Sequence, residues 1–265
     1  MNRIVLIGCG AMGGAILSGC LAGGIWKKEE VAIKGRTRES SEEKACAFGV
    51  SAFSSDEEIR EAELVLLAVK PQVLPVVLKE IERHRPKRVI SIAAGISLQT
   101  LEKSLPKGTE VIRVMPNTPL SVGLGMTAIA TGQSTSKEFL EETKRIFSAL
   151  GEIEVGSERQ LDQLGALSGA GPGYAFVMID ALADGGVRIG LRRDLAIRAA
   201  AMALMGAAKL VLSTGRHPAA LRDEVTSPGG TTIAGIHAIE EGGVRSALMN
   251  AVKAAMDRSD KMSKS

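Results

Sequence analysis

The segment Gly8-Cys9-Gly10-Ala11-Met12-Gly13 spaces three glycines as a dinucleotide pyrophosphate site requires. It follows a strand-like run, Arg3–Ile7, and opens a helix-length stretch, the context that gives the spacing its meaning. Gly8 would make the tight turn, Gly10 would let backbone approach the phosphates, and Gly13 would let helix and strand pack closely. The helix start then presents unpaired N–H groups and a partial positive charge. Cys9, Ala11 and Met12 belong to the same cofactor-binding loop, with Cys9 a spacer rather than a reactive thiol. A glycine-rich turn that only packs is the alternative. The next chemistry-bearing stretch is Lys34-Gly35-Arg36-Thr37-Arg38, three cations and no acid. An acid there would take the ribose hydroxyls of NAD. A 2′-phosphate instead wants a guanidinium and hydroxyl donors, and Arg36 with Thr37 offers both. NADPH is therefore favoured, NADH is left open, and a plain solvated basic turn is the alternative.

The elements that must position these residues differ between the two halves. Short β-branched runs at Ile4–Ile7, Val31–Ile33, Leu64–Val69, Val89–Ile92 and Val111–Val114 alternate with helix-length stretches at Ala11–Ala22, Glu39–Phe48, Val73–His84 and Leu98–Lys103. Apolar strands alternating with helices predict a parallel sheet covered on both faces. A strand at Met126–Ala130, a helix at Lys137–Ala149 and a strand at Glu152–Val155 extend the layer. Beyond Ser157 the strand signal stops. Helices are predicted at Tyr174–Ile189, Asp194–Leu212, Pro218–Val225, Thr231–Glu240 and Val244–Lys261. Asp194 is the expected N-cap of the second, Gly190 and Gly215 close helices, and Thr231 caps the fourth. The fold class is thus α/β: a Rossmann-type, largely parallel sheet domain, residues 1–157, followed by an all-helical substrate-binding and dimerisation domain, residues 158–265. Dimerisation is inferred because Tyr174–Ile189 and Asp194–Leu212 are apolar nearly all round and need burial on every side. A monomer whose sheet domain covers them is the alternative.

Bulk properties exclude other classes. The 265 residues are 45% hydrophobic, enough for a core, and 33 basic against 30 acidic groups leave a net charge of only +3. No basic stripe suggests nucleic acid. Three scattered cysteines, Cys9, Cys20 and Cys46, form neither a disulfide framework nor a metal site. They read as reduced thiols in a cytoplasm. No secretory signal is read at the start, and the Ala-rich run between Arg198 and Lys209 is too short for a bilayer, so no membrane helix is expected.

Further motifs go beyond a generic dinucleotide fold. Ala68-Val69-Lys70-Pro71, Ser91-Ile92-Ala93-Ala94-Gly95-Ile96 and Arg113-Val114-Met115-Pro116-Asn117-Thr118-Pro119 each fall at the carboxyl end of a predicted strand, where open α/β sheets bind ligands. The helical half carries Ala166-Leu167-Ser168-Gly169-Ala170-Gly171-Pro172 and Thr226-Ser227-Pro228-Gly229-Gly230-Thr231-Thr232-Ile233-Ala234-Gly235. This ordered set resembles the pyrroline-5-carboxylate reductase family, from the first strand past Glu240. The resemblance implies a two-domain fold with an interlocked helical homodimer, sometimes built into larger rings such as a decamer. It implies NADPH-dependent reduction of the C=N bond of pyrroline-5-carboxylate to proline, the last step of proline biosynthesis. Cofactor contacts would be Gly8–Gly13, Arg36, Ala68, Val69, Lys70, Pro71, Ala94 and Gly95, with Asn117 supporting the nicotinamide end. Substrate would meet Ser168 and the Ser227–Thr232 segment near the dimer interface. Ser55 and Glu224 depart from the pattern: some members carry Asn at the first and a neutral amide at the second.

The residues of that segment fit such a substrate, a ring imine with one carboxylate. Consecutive N–H groups at Gly229, Gly230 and Thr231 ahead of a helix form an anion nest. The Thr232 hydroxyl could hydrogen-bond the ring nitrogen as the catalytic group, most of the rate coming from orientation and the cofactor's own chemistry. An ordinary capped turn is the alternative. His84, His217 and His237 show no carboxylate partner in the sequence, and Tyr174 is read as packing. Two other functions compete. A β-hydroxyacid dehydrogenase would use Lys209, but Ser213 stands where its asparagine belongs. A non-catalytic NADP sensor would keep the glycine loop and have no use for the nest.

Overall fold

The computed structural model describes residues 3–262. In chain order the elements are β1 Ile4–Ile7, α1 Ala11–Ala22, β2 Val31–Lys34, α2 Arg38–Phe48, β3 Ser51–Ala52, α3 Glu57–Glu61, β4 Leu64–Leu67, α4 Leu74–Glu82, β5 Arg88–Ser91, α5 Leu98–Lys103, β6 Glu110–Met115, β7 Gly125–Thr131, α6 Lys137–Ser148 and β8 Gly151–Val155. The helical half follows as α7 Glu158–Leu164, a π turn Gly165–Gly169, α8 Gly171–Arg188, α9 Arg193–Thr214, α10 Pro218–Glu224, α11 Thr231–Glu241 and α12 Val244–Met262.

The sheet has eight strands in the order β3-β2-β1-β4-β5-β6-β7-β8. Every neighbouring pair is parallel except β6 with β7. Strands β1 and β4 are buried at every position, which is why they read as unbroken apolar runs rather than alternating ones. One core, with Leu6, Ile16, Leu17, Phe139 and Phe147, covers one face; a second, with Val5, Ile59, Leu74, Ile81 and Leu101, covers the other. From β1 the chain winds first through β2 and β3 and then back past β1 to β4, so the strand order reverses between β1 and β4. Crevices at the carboxyl ends of such strands are where open α/β sheets take ligands.

One charge interrupts the apolar β6. Arg113 is buried, its guanidinium donating to Glu158 Oε1 at 2.8 Å and Asp162 Oδ1 at 2.7 Å on α7. The same Glu158 oxygen accepts from the Leu98 N–H at 2.7 Å, tying the start of α5 to this pair. Arg113→Met should therefore cost about 3 kcal/mol, because two carboxylates lose their counter-charge in a poorly solvated place. A chemical-denaturation midpoint that does not move would contradict this.

Several sequence expectations change. The two-residue β3 and the short α3 are too brief to show periodicity. α8 matches the expected Tyr174–Ile189 helix but starts at Gly171, and ahead of it lies an unexpected helix, α7, opened by a capping box of Ser157 with Gln160. α9 is capped at Arg192 rather than at Asp194, which sits in the first turn and takes Arg192 Nη2 at 2.6 Å. Thr231 is the first helical residue of α11, and Gly230 is the cap.

Contacts group the chain into two compact units, Met1–Ala170 with Ala255–Ser265, and Gly171–Ala254. The outermost residues of the two domains read from sequence, 1–2 and 263–265, lie outside the described residues. Within the second unit α8 buries only Ala183, and α9 only Ala196 and Ala200. Phe176, Ile189 and Leu212 are 66%, 81% and 76% exposed, so large apolar faces stand open on this chain alone. The expectation that the apolar runs are too short for a bilayer is also corrected. Glu158–Arg188 and Arg193–Thr214, 31 and 22 residues, are long and apolar enough by length and composition. Arg198 and Lys209, read as the limits of a short run, lie inside the second of these helices.

Candidate active site

The glycine loop sits at the strand reversal. Gly8 donates to the Lys34 carbonyl at 2.9 Å, and Ala68 donates to that of Ile7 at 2.8 Å, so the ends of β1, β2 and β4 meet at the loop. Gly8 has φ +89°, and a Cβ there would lie 2.7 Å from the Ala68 carbonyl oxygen. A Cβ on Gly13 would overlap the Gly8 carbonyl and lie 3.0 Å from the Ala68 methyl. Gly10 is different: a Cβ there meets no atom within 4 Å. The absence of a side chain at Gly10 serves no packing need of the described protein. Gly10 caps α1 without any side-chain hydrogen bond, which leaves the first-turn amides of Ala11, Met12 and Gly13 facing outward unmatched. These are the donors a pyrophosphate takes, and the α1 dipole favours its charge. Burial pushes the half-buried Cys9 thiol up against a smaller opposing effect of Lys44, so it stays protonated and unreactive.

The basic turn after β2 sorts itself by partner. Lys34 Nζ pairs with Glu80 at 3.0 Å and lies 4.5 Å from the Phe53 ring centroid, and Arg38 Nε donates to Glu42 at 2.8 Å. Arg36 is exposed and pairs with no carboxylate among the described residues. Thr37 caps α2, its Oγ1 accepting from the Ser40 N–H at 3.2 Å, and its hydroxyl also reaches the exposed Glu39 carboxylate, which the Glu39 backbone N–H and this hydroxyl together hold below the usual range. The arrangement suits a phosphate monoester.

Further along the carboxyl edge, Ala68 and Val69 are half-buried and the exposed Lys70 turns into α4 with Pro71, its carbonyl accepting from Val73 at 2.9 Å. Ala94 and Gly95 form the turn after β5, with φ +72° at Gly95. A Cβ on Gly95 would lie 3.2 Å from the Met262 Cβ, so the last described turn of α12 rests on this turn. Arg159 and Asp260, 2.8 Å apart, fasten the same end. No sequence signal pointed to that contact. Asn117 is 7% exposed; its Oδ1 accepts from Met126 N–H at 2.8 Å, and its Nδ2 donates to the Ser168 carbonyl at 2.9 Å. Ser168 in turn donates its hydroxyl to the Leu164 carbonyl at 2.8 Å. The loop Gly8–Gly13, Arg36, Thr37, Ala68–Pro71, Ala94, Gly95, Asn117 and Ser168 all belong to the first compact unit.

The expected anion nest belongs to the second unit. Gly229 has φ +66°, a left-handed conformation that glycine alone adopts cheaply, and a Cβ on Gly230 would overlap the Ser227 hydroxyl. The nest is one donor smaller than the sequence suggested, because the Gly230 N–H is spent on the Ser227 carbonyl at 3.0 Å. Gly229 and Thr231 keep theirs among the described residues, and the Thr232 hydroxyl, one residue into α11, is exposed. Glu224 is held by Arg216, whose hydrogen bonds pull its carboxyl below the usual range.

Some discounted residues gain partners. His84 lies 3.2 Å from Asp56, and His237 lies 3.7 Å from Glu241, contrary to the reading that no histidine has a carboxylate nearby. His217 caps α10 by accepting from Ala219 at 3.2 Å. None of these belongs to the residues above. The Tyr174 phenol reaches the Ala251 carbonyl at 3.3 Å, both within the second unit.

Residues 158–262 match the family model described as pyrroline-5-carboxylate reductase dimerisation, and residues 3–95 match that described as NADP oxidoreductase, coenzyme F420-dependent. The pyrroline-5-carboxylate reductase of Methanosarcina acetivorans is 41% identical, covering 99% of this chain and 98% of its own length. That of Escherichia coli is 39% identical over 100% and 99%. Among solved structures, a Plasmodium falciparum pyrroline carboxylate reductase with NADP bound superposes with a TM-score of 0.89 at 30% identity, covering 99% of this chain and 98% of that one. Since likeness at this level covers nearly the whole length of both chains, sheet and helical half alike, the chain belongs to the pyrroline-5-carboxylate reductase family.

Proposed function

We propose that this chain reduces 1-pyrroline-5-carboxylate to L-proline with NADPH, closing proline biosynthesis. The reading is carried by the full-length family likeness, joined to a glycine loop whose Gly10 faces open space. The residues fit the dinucleotide: the Ala11–Gly13 amides would hold the pyrophosphate, and Arg36 with Thr37 the 2′-phosphate. Ala68–Pro71 and Ala94-Gly95 would follow its length along the carboxyl edge. Bound NADPH supplies a hydride to the C=N carbon, and the ring nitrogen gains a proton. The Gly229 and Thr231 amides would take the substrate carboxylate, and Thr232 would hydrogen-bond the ring nitrogen and fix which face of the imine is offered. Cys9 takes no part beyond its backbone.

The test is NADPH oxidation followed with pyrroline-5-carboxylate, with 3-hydroxy acids run in reverse, and with cofactor alone. Turnover only with the imine is expected. Thr232→Ala should lower kcat about tenfold or more while the NADPH dissociation constant stays within about twofold, since one hydrogen bond to the reacting group is removed. A large loss of NADPH affinity instead would sink the assignment of Thr232.

In this reading residues 1–157 form the cofactor domain, and residues 158–265 the substrate-binding and dimerisation domain. The open faces of α8 and α9 are covered by a second copy rather than by lipid. Charges at Asp180, Asp184, Arg198 and Lys209 inside the two spans favour a protein partner. A dimer, or a larger ring such as a decamer, is expected by light scattering in detergent-free buffer; a stable micromolar monomer would overturn this. Cysteines Cys9, Cys20 and Cys46 stand unpaired, in keeping with a reducing cytoplasm.

A further inference from the structure

Asn117 and Ser168 are 51 residues apart and joined by one hydrogen bond. The reason begins with Pro172. In a regular helix the Ser168 carbonyl would accept from the N–H four residues on, but that residue is proline and has none. The chain widens here into the Gly165–Gly169 π turn, where the Ala170 N–H reaches back to the Gly165 carbonyl at 3.1 Å. Such single wide turns sit preferentially at functional sites. The Ser168 carbonyl, without a helical partner, is satisfied by Asn117 Nδ2 at 2.9 Å. Gly165 makes the approach possible, since a Cβ there would press within 3.2 Å of the Met115 side chain at the end of β6.

We propose that Asn117 is a positioning residue: its side-chain amide replaces the donor that Pro172 removes, and so locks the π turn and Ser168 to the carboxyl end of β6. The other half of the amide completes the lock, because Oδ1 takes the Met126 N–H at 2.8 Å and fixes the Asn117 rotamer from the β7 side. With its proton donated to the Leu164 carbonyl at 2.8 Å, the Ser168 hydroxyl turns only lone pairs outward. It is thereby set as an acceptor, suited to the N–H of a protonated cyclic imine or of the amine product. Nicotinamide contact, the role the family resemblance implies for Asn117, is secondary here: one donor and one acceptor of this nearly buried amide already have partners inside the protein.

The test uses the full-length chain with Asn117→Asp, Pro172→Ala and the double variant. The aspartate keeps the acceptor for Met126 and loses the donor for Ser168. Alanine at position 172 restores a backbone N–H to the segment. Expected for Asn117→Asp are faster amide hydrogen exchange over residues 165–171, a roughly tenfold lower kcat and an NADPH dissociation constant within about twofold. Both the exchange and kcat should recover by at least about threefold in the double variant, where the side-chain donor is no longer needed. If Asn117→Asp does not accumulate as folded protein, folding of the double variant counts as that recovery. A double variant no better than the single one overturns the proposal, as does an NADPH affinity more than tenfold weaker with kcat unchanged. The kinetic arm rests on the proposed reductase activity. The exchange arm does not, so a wild-type chain inert toward the imine would defeat that activity while the lock is still judged.

Discussion

Arg36→Ala is expected to lower kcat/KM for NADPH by about 100-fold and to change that for NADH by less than about threefold. The first figure follows from losing a bidentate, charge-assisted contact to a dianion, worth about 2.7 kcal/mol at that ratio. The second follows because NADH carries only hydroxyls where the phosphate would lie, so it has no use for the guanidinium. Both neighbouring cations are engaged, Lys34 with Glu80 and Arg38 with Glu42, so neither is free to substitute. Steady-state kinetics with each dinucleotide reads the result. Equal losses for the two would place Arg36 elsewhere on the cofactor, or outside it. Raising the salt concentration should weaken NADPH binding to the native chain and not to the variant, because Arg36 is exposed and its attraction is screened.

The second large effect separates two glycines three residues apart. Gly10→Ala should leave thermal stability unchanged, since the new methyl meets nothing within 4 Å and the backbone, at φ −81°, suits alanine. It should nonetheless weaken NADPH binding by about 100-fold, because the methyl occupies the space through which phosphate reaches the α1 amides. Gly13→Ala should behave in the opposite order. Its methyl would overlap the Gly8 carbonyl, a backbone atom held by the loop and unable to swing away. Losses of about 3 kcal/mol are typical when such an overlap must be relieved by backbone movement. A melting curve and a fluorescence titration on both variants decide. A Gly10→Ala protein that binds NADPH normally would mean that the dinucleotide does not lie across this loop.

Much of the sheet was readable because burial on both faces leaves unbroken apolar runs: Ile4–Ile7 and Leu64–Leu67 needed only composition. The glycine loop was readable because its geometry restricts residue type at fixed spacing. What stayed hidden depends on pairings distant in sequence or on single cap positions. Arg113 inside an apolar strand announced a buried partner in principle, yet Glu158 and Asp162 could not be picked from many acids without the fold. Pro172 was visible as a proline in a glycine-rich motif, but the π turn and the Asn117 donor that answers it appear only when β6 and α7 are brought together. The Gly230 cap and the Gly230-to-Ser227 bond are local, and a Ser-Pro-Gly-Gly turn could have suggested them. Residue preference alone favours Thr231 as the cap, but the turn closes on itself and leaves that place to Gly230. The length of α9 is hidden in the sequence because Arg198 and Lys209 look like limits, whereas long side chains sit readily within an amphipathic or assembling helix.

Arg3 and Met262 are not interchangeable as attachment points. Arg3 leads into β1 from the end of the sheet opposite the glycine loop, so a label at this residue sits on the far side of the layer. Met262 instead lies against the Gly95 turn, beside the strand ends. A label at Met262 would crowd the edge where the dinucleotide is proposed to lie, while Arg3 offers the same handle at a distance.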